Sequence, residues 1–488
     1  KGQLLLAAFA FAMLGGSPSA GAALSFGART QFWPFMFVHG DGRVESLSAD
    51  ERAKFDTAMG NLGQYAALGA EWNIVDVWQE IDGPDGFRRL DRVFREHENR
   101  GIQVALRLLE TPEIYDEIRL GGERQEHAVR GYQNWLRAIV KRYGIRVRYY
   151  LISNEVDHDI GYNRPTYKPF RLIEFDEYAT LLKAAYAEIH LFDRRPVVMD
   201  HGVSTYSLAM AFVADLVARG RLMEAQQVWA SMEYESPGES ARTLPRLLVT
   251  LQSEGTRRRI AFARRTITSL AQYRDAFQLH HYMGPKMVPA LMQWLQSAIP
   301  DDSKRVVVAT EVGYTGPAAI GNSWDGRQVN IADKSRYSEI AHGNSIAKTI
   351  TGLAAAGVPD ILYWQIRFHM DHHGPVMSLY ADTSDRDRFN QSYPAQVFRN
   401  LAEKLKGARP VFVSGSGRNL GTFEYRFLGT GEWSILWRED GAPVALTADE
   451  QQRASSAYDL TGTSLPMTID GSVNHNGPII VSWRTLTR

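Results

Sequence analysis

Arg148-Tyr149-Tyr150-Leu151-Ile152-Ser153-Asn154-Glu155 is the stretch from which the rest of the chain is read. It is a short apolar run that stops on an amide followed by a carboxylate, the pattern of a buried strand with polar side chains at its end. A second stretch has the same form: Arg305-Val306-Val307-Val308-Ala309-Thr310-Glu311. Around both, short apolar runs alternate with segments of helical spacing, which predicts parallel strands joined by helices.

Working outward, strands are expected at 31–38 (QFWPFMFV), 72–78, 102–109, 145–155, 196–200, 276–282, 305–311 and 361–364. Helical spacing marks 50–68, 86–99, 123–143, 175–192, 209–219, 288–298, 334–356 and 395–405. Residues 220–270 exceed what a crossover needs and are read as the fifth crossover with a helical insertion. Eight strand–helix repeats predict an α/β fold, a (β/α)8 TIM barrel over 24–407. A doubly wound sheet usually shows a Gly-rich phosphate turn after its first strand, and none is present. After Gly407-Ala408-Arg409-Pro410 the texture changes to short β-rich segments separated by Gly, Asp, Thr and Ser turns. This predicts a small antiparallel β-sandwich over 408–488, either a glycan binder or a packing module against the barrel.

The chain has 488 residues, is 44% hydrophobic and carries a formal charge of +0. That is enough to bury a sizeable core. Balanced charge argues against a general polyanion binder, because nucleic-acid affinity comes mostly from phosphate neutralisation. There is no cysteine, so disulfides and thiolate metal sites are excluded. Lys1, the apolar run 4–14 and the small residues near 19–23 have the form of an export signal over 1–23. The alternative, a membrane anchor, needs about 20 apolar residues. A secreted or periplasmic bacterial protein, with no stable membrane span after signal cleavage, is the expectation.

Side chains at the C-terminal ends of barrel strands line the mouth where chemistry is done. Glu155 at strand four and Glu311 at strand seven would face each other there. A lone glutamate after a strand is commonly a solvated loop residue, but two at these strands form the pair that glycosidic bond cleavage needs. One protonates the leaving oxygen, and the other attacks or activates water.

These motifs (Ser153-Asn154-Glu155, His280-His281-Tyr282, Thr310-Glu311-Val312-Gly313 and Tyr363-Trp364-Gln365) resemble the signature of glycoside hydrolase clan A, the retaining barrel glycosidases. The resemblance extends over 31–405. The stretch from Glu71-Trp72 to Trp78 and the terminal sandwich are most similar to family 39 and its relatives. The resemblance implies Glu155 as general acid/base and Glu311 as nucleophile. It implies Asn154 at the sugar 2-hydroxyl, Tyr282 bonded to Glu311, His280 near the acid/base and leaving group, and Trp364 as the platform under the sugar. Sugars present apolar C–H faces to aromatic rings and hydroxyls to fixed polar partners, in keeping with that set.

The sequence departs from the clan at strand two. Many members carry an arginine there, where this chain has Asn73 and Ile74. Arg107, inside the apolar third strand, is a candidate substitute, since a buried arginine needs a partner. The alternative is an arginine facing out between helices. His39, Trp78, Glu110, Asp200 and His201 fall where loops would line the mouth, or serve as plain loop and core residues. His369-Met370-Asp371-His372-His373 offers metal-ligand types, but the chemistry expected here needs no metal and no cofactor. Arg257-Arg258-Arg259 with Arg264-Arg265 forms a basic helix. It is read as a solvated face, or as a contact to an acidic polysaccharide.

The expected function is hydrolysis of a poly- or oligosaccharide by double displacement. A transglycosylase would use the same residues but exclude water. A non-catalytic carbohydrate-binding protein on a barrel scaffold would not require this set.

Overall fold

The computed structural model describes residues 25–28, 62–63, 66–79, 84–157, 172–192, 196–230, 243–300, 306–313, 339–363, 392–415, 422–438, 440–468, 471–473 and 475–484. Eight strands form one sheet: β1 (Ser25–Ala28), β2 (Trp72–Trp78), β3 (Gln103–Leu109), β4 (Val147–Ile152), β5 (Val197–Met199), β6 (Phe277–His281), β7 (Val307–Val312) and β8 (Asp360–Tyr363). Their order is β5-β4-β3-β2-β1-β8-β7-β6, and the pairings along it are parallel. Two isolated parallel bridges, Met199↔Ala276 and Val203↔Leu279, link the end of β5 and the residues past it with β6 and the residue just before it. The stretch 31–38, expected as the first strand, lies outside the described residues. The place between β2 and β8 is held instead by β1, which begins earlier in the chain.

The connecting helices are α1 (Pro84–Glu98), α2 (Pro112–Leu120), α3 (Gly122–Tyr143), α4 (Phe175–Phe192), α5 (Thr205–Ala218), α6 (Leu222–Ala230), α7 (Leu244–Gln252), α8 (Glu254–Thr268), α9 (Val288–Ala298), α10 (Glu339–Ala355) and α11 (Tyr393–Leu405). α6, α7 and α8 occupy the segment read as an insertion. α2 was not anticipated. Pro112 starts it, where a missing N–H costs nothing, and Gly121 ends it in a conformation with positive φ. Among the described residues, no helix is long and apolar enough to cross a membrane.

Side chains alternate between the two faces of each strand. Val104, Leu106, Leu108, Tyr150, Ile152, Val198, Phe277 and Leu279 point to the helices and share one large core with them. Trp72, Ile74, Ala105, Tyr149, Leu151, Met199, Ala276, Val308 and Leu362 form a separate cluster, which defines the inner face. Full burial of such an apolar side chain contributes roughly 1.5–3 kcal/mol.

Beyond α11 the pairing becomes antiparallel. β9 (Arg409–Gly415), β10 (Thr422–Leu428), β11 (Glu432–Arg438), β13 (Ala454–Tyr458), β14 (Ser464–Leu465) and β16 (Ile479–Trp483) make a six-stranded sheet. β12 (Val444–Ala445) pairs with β15 (Ser472–Val473), and α12 (Ala448–Arg453) lies between β12 and β13 in the chain. Alternation gives the larger sheet two apolar faces. Tyr425, Phe427, Trp433, Ile435 and Trp437 belong to the main core, and α10 packs on β9 and β10. Leu436, Ile479, Val481 and Trp483 cluster with Val444, Leu446 and Val473.

Candidate active site

Arg107 lies at the centre of the site. It follows Ala105 on the inner face of β3 and is 3% exposed. Its Nε and Nη2 donate to Asp76 Oδ1 and Oδ2, both at 2.8 Å. Asp76 stands opposite Arg107 in the β2–β3 register. This two-pronged pairing is the geometry a guanidinium offers a carboxylate. Nη1 remains free to point across the sheet, where it donates to Glu311 Oε1 at 2.7 Å and to Asn154 Oδ1. Of the two placements open to Arg107, the inward one holds. Strand two supplies the acid that anchors the arginine.

Glu311 reaches the inner face through a bulge. Val308 is an inner-face residue, so strict alternation would send Thr310 inward and Glu311 toward the helices. The β6–β7 register pairs Leu279 with Ala309 and then His280 with Glu311, leaving Thr310 as the extra residue. A bulge of this kind re-aims the following side chain. Glu311 Oε2 then accepts from the Tyr282 hydroxyl at 2.9 Å.

Glu155 is aimed differently. Ser153 and Glu155 have φ of 70° and 43°, the only non-glycine residues with positive φ among those described. Each such conformation costs on the order of 1–3 kcal/mol and persists only where surroundings enforce it. Here the Ser153 N–H donates to Leu108 O and the Glu155 N–H to His201 O, both at 2.8 Å. The Glu155 carboxylate is 21% exposed, against 7% for Glu311. His280 Nδ1 lies 2.7 Å from Glu155 Oε1 and 3.6 Å from Glu311 Oε2. One carboxylate oxygen of each glutamate and a ring nitrogen of His280 lie within 4.8 Å of one another. Among the described residues this is the one group that could hold a metal ion.

The structure thus brings Asn154, Glu155, Arg107, His280, Tyr282 and Glu311 together. His280, expected among the substrate contacts, is fully buried. It sits behind Glu155, not on the open side, because it lies on β6 beneath the strand end. Arg107 and Tyr282 are likewise buried against Glu311. Trp78 ends β2, and its side chain, like Trp364, His39 and 369–373, lies outside the described residues.

Three residues expected near the mouth are sealed on the helix side. Glu110 is 0% exposed and accepts from Tyr132 at 2.9 Å and Tyr115 at 3.1 Å. Burial pushes its carboxyl above the usual range, against those bonds. Asp200 pairs with the buried Arg274 at 2.9 Å. His201 lies near Asp157 and packs edge-on against Tyr178 and Phe262. Burial holds its ring below the ordinary histidine range. The basic helix α8 is largely engaged within the chain. Arg264 pairs with Asp215, Arg265 with Asp176, and Arg258 donates to Ile173 O.

Asp76 and Gln278 were not singled out in the sequence. Alternation in Trp72-Asn73-Ile74-Val75-Asp76 places Asp76 on the face of Trp72 and Ile74, a signal that could have found it. Gln278 lies one alternation before His280 on that same face.

No protein-family model and no curated protein matches the sequence. Solved structures resemble it in fold. A glucosidase from Croceicoccus marinus aligns over 97% of this chain and 98% of its own, with a TM-score of 0.51 and 9% identity. A GH1 β-glucosidase from Exiguobacterium antarcticum aligns over 79% and 99%, at 0.45 and 11%. An exo-β-1,4-mannosidase from Opitutaceae bacterium strain TAV5 aligns over 80% of this chain but 61% of its own, at 0.42 and 12%. The Croceicoccus marinus protein is described as a glucosidase, and at 9% identity its likeness to this chain is one of fold alone.

Proposed function

We propose that this protein is an exported retaining glycoside hydrolase of the clan A type, akin to family 39. In this reading the eight-stranded sheet closes as a (β/α)8 barrel over 24–407, and 408–488 forms a β-sandwich packed on it. Glu155 protonates the glycosidic oxygen while Glu311 attacks the anomeric carbon from the other side. Glu155 then takes a proton from water, which releases the sugar with its configuration kept.

One observation carries this reading: one oxygen of Glu155 and one of Glu311 lie within 4.8 Å of each other. Retaining enzymes hold their carboxyl groups about 5–5.5 Å apart, whereas inverting ones need roughly 6.5–9.5 Å to admit a water. The surrounding bonds give the two acids different tasks. Glu311 accepts from Arg107 and Tyr282 on separate oxygens, which fixes it for attack. Glu155 accepts from one ring nitrogen and is the more exposed, which leaves it access to a leaving group and to water. Asn154, held by Arg107, stands beside Glu155 for a sugar hydroxyl.

A panel of 2,4-dinitrophenyl and phenyl glycosides, beginning with glucosides, tests the assignment. Glu311→Ala should lose activity on the order of 10⁴-fold and recover it partly with azide, giving a glycosyl azide of inverted configuration. Hydrolysis at the wild-type rate would remove Glu311 from its role. Proton NMR of the first-formed product should show retention.

A further inference from the structure

His280 is buried between two partners. Gln278 Nε2 lies 2.9 Å from its Nε2, and Glu155 Oε1 lies 2.7 Å from its Nδ1. An amide N–H only donates, so the ring must offer its Nε2 lone pair and carry its proton on Nδ1. With the amide turned over, two N–H donors would occupy the buried spot where Gln278 Oε1 finds no hydrogen-bond partner. The orientation that matches the ring is set at Nδ1: its proton meets the Glu155 carboxylate, which leaves Nε2 a lone pair for an amide N–H to meet. The chain uses the same device at His97. There the Asn73 amide nitrogen meets Nε2 at 3.0 Å, and Nδ1 meets the Val93 carbonyl at 2.7 Å, an acceptor that requires the proton on Nδ1.

Gly202 holds the ring in place from the other side. Its φ is +65°, and a Cβ there would lie 2.3 Å from His280 Nε2 and 2.8 Å from Gln278 Nε2. The Gly202 and Gln278 N–H groups both point to Asp200 Oδ1, at 3.2 and 3.4 Å. The His201 carbonyl just before Gly202 accepts from the Glu155 N–H. One short segment therefore positions both the backbone of Glu155 and the ring beside it. The titratable groups near His280 are Glu155 past β4, Glu311 on β7 and the His201 ring past β5.

We propose that Gln278, backed by Gly202, dictates which nitrogen of His280 is protonated. Glu155 Oε1 is then occupied by an N–H, and Oε2 carries the proton passed to the leaving oxygen. Gln278 is a positioning residue, and the proposal rests on Glu155 being the proton donor.

The test uses the full chain labelled with ¹⁵N-histidine, with the His280 signals identified by their loss in His280→Gln. In the wild type, Nδ1 should show the protonated type of signal and Nε2 the unprotonated type. Gln278→Leu, which keeps the volume and removes a stranded oxygen, should mix the two tautomers. Gln278→Glu should place a proton on Nε2. A wild-type ring protonated on Nε2, or spectra unchanged in both variants, would overturn the proposal. Kinetically, Gln278→Leu should lose about 10-fold more kcat/KM on phenyl than on 2,4-dinitrophenyl glycosides, since only the poorer leaving group needs a proton. Equal losses also overturn it. Glu155→Ala separates the two failures. If it discriminates strongly between the leaving groups while Gln278→Leu does not, only the role of Gln278 falls. If it does not discriminate, the role of Glu155 falls and this proposal with it.

Discussion

Among the described residues, four acidic side chains that lie at or just past the C-terminal ends of strands can be compared: Glu110 after β3, Glu155 past β4, Asp200 after β5 and Glu311 late in β7. Glu155 and Glu311 meet on the inner face beside His280. Glu110 and Asp200 are fully buried on the helix side. The difference lies in strand alternation and in departures from it. Ala105 and Arg107 face inward, so Glu110 follows Val104, Leu106 and Leu108 toward the helices. Met199 faces inward and Val198 outward, which sends Asp200 to Arg274. Glu311 would have gone outward too, but for the bulge at Thr310. A position after a strand is thus weak evidence of a site. The face is what counts, and one inserted residue changes it.

Three experiments press on this contrast. The largest effect is expected at the sealed pair. Arg274→Met leaves the Asp200 charge buried without its partner and should cost roughly 3–5 kcal/mol, read as a lower midpoint in urea. An unchanged midpoint would mean that Asp200 is not sealed as described. Next is Arg107→Lys, which cannot bridge Asp76, Asn154 and Glu311 together. It should lower kcat about 10²-fold, whereas Glu110→Gln should leave kcat near wild type. If both variants fell alike, the division between the two faces would have no catalytic meaning.

The smallest effect is in the pH profile of stability. Burial raises the folded Glu110 value above its ordinary 4.5. Its contribution is present below that value and lost as pH climbs through the folded one. Glu110→Gln removes this loss, so its stability relative to wild type should improve from pH 4 to pH 8. His97 and His281 act in the opposite sense. Burial pushes both from 6.5 down to about 4, so both proteins should weaken as pH drops through that window. A flat difference between wild type and Glu110→Gln would show that Glu110 titrates alike folded and unfolded.

Much of this arrangement was legible in the residues. The strand–helix alternation from Trp72 to Tyr363 is carried by apolar spacing, and helix α4 matched its expected span of 175–192. The convergence of Asn154, Glu155 and Glu311 followed from strand ends, and Arg107 was marked by the cost of a charge in an apolar strand. Other features depend on pairing, which sequence spacing does not encode. The Thr310 bulge exists only relative to β6. The left-handed backbone at Ser153 and Glu155 is enforced by carbonyls from β3 and the segment after β5. Gln278 reads as one polar residue in a strand until His280 is seen beside it. Gly202 reads as a turn until its missing Cβ is measured against that ring.

The terminal sheet has a practical consequence. Trp433, Ile435, Trp437, Tyr425 and Phe427 share their core with Phe398 and Leu401 of α11. A chain cut after 407 would bare that apolar surface to water on both sides of the cut, inviting self-association. The last eighty or so residues are therefore poor material for shuffling onto other proteins, and a partner enzyme fused to this chain belongs at an end, not at that seam.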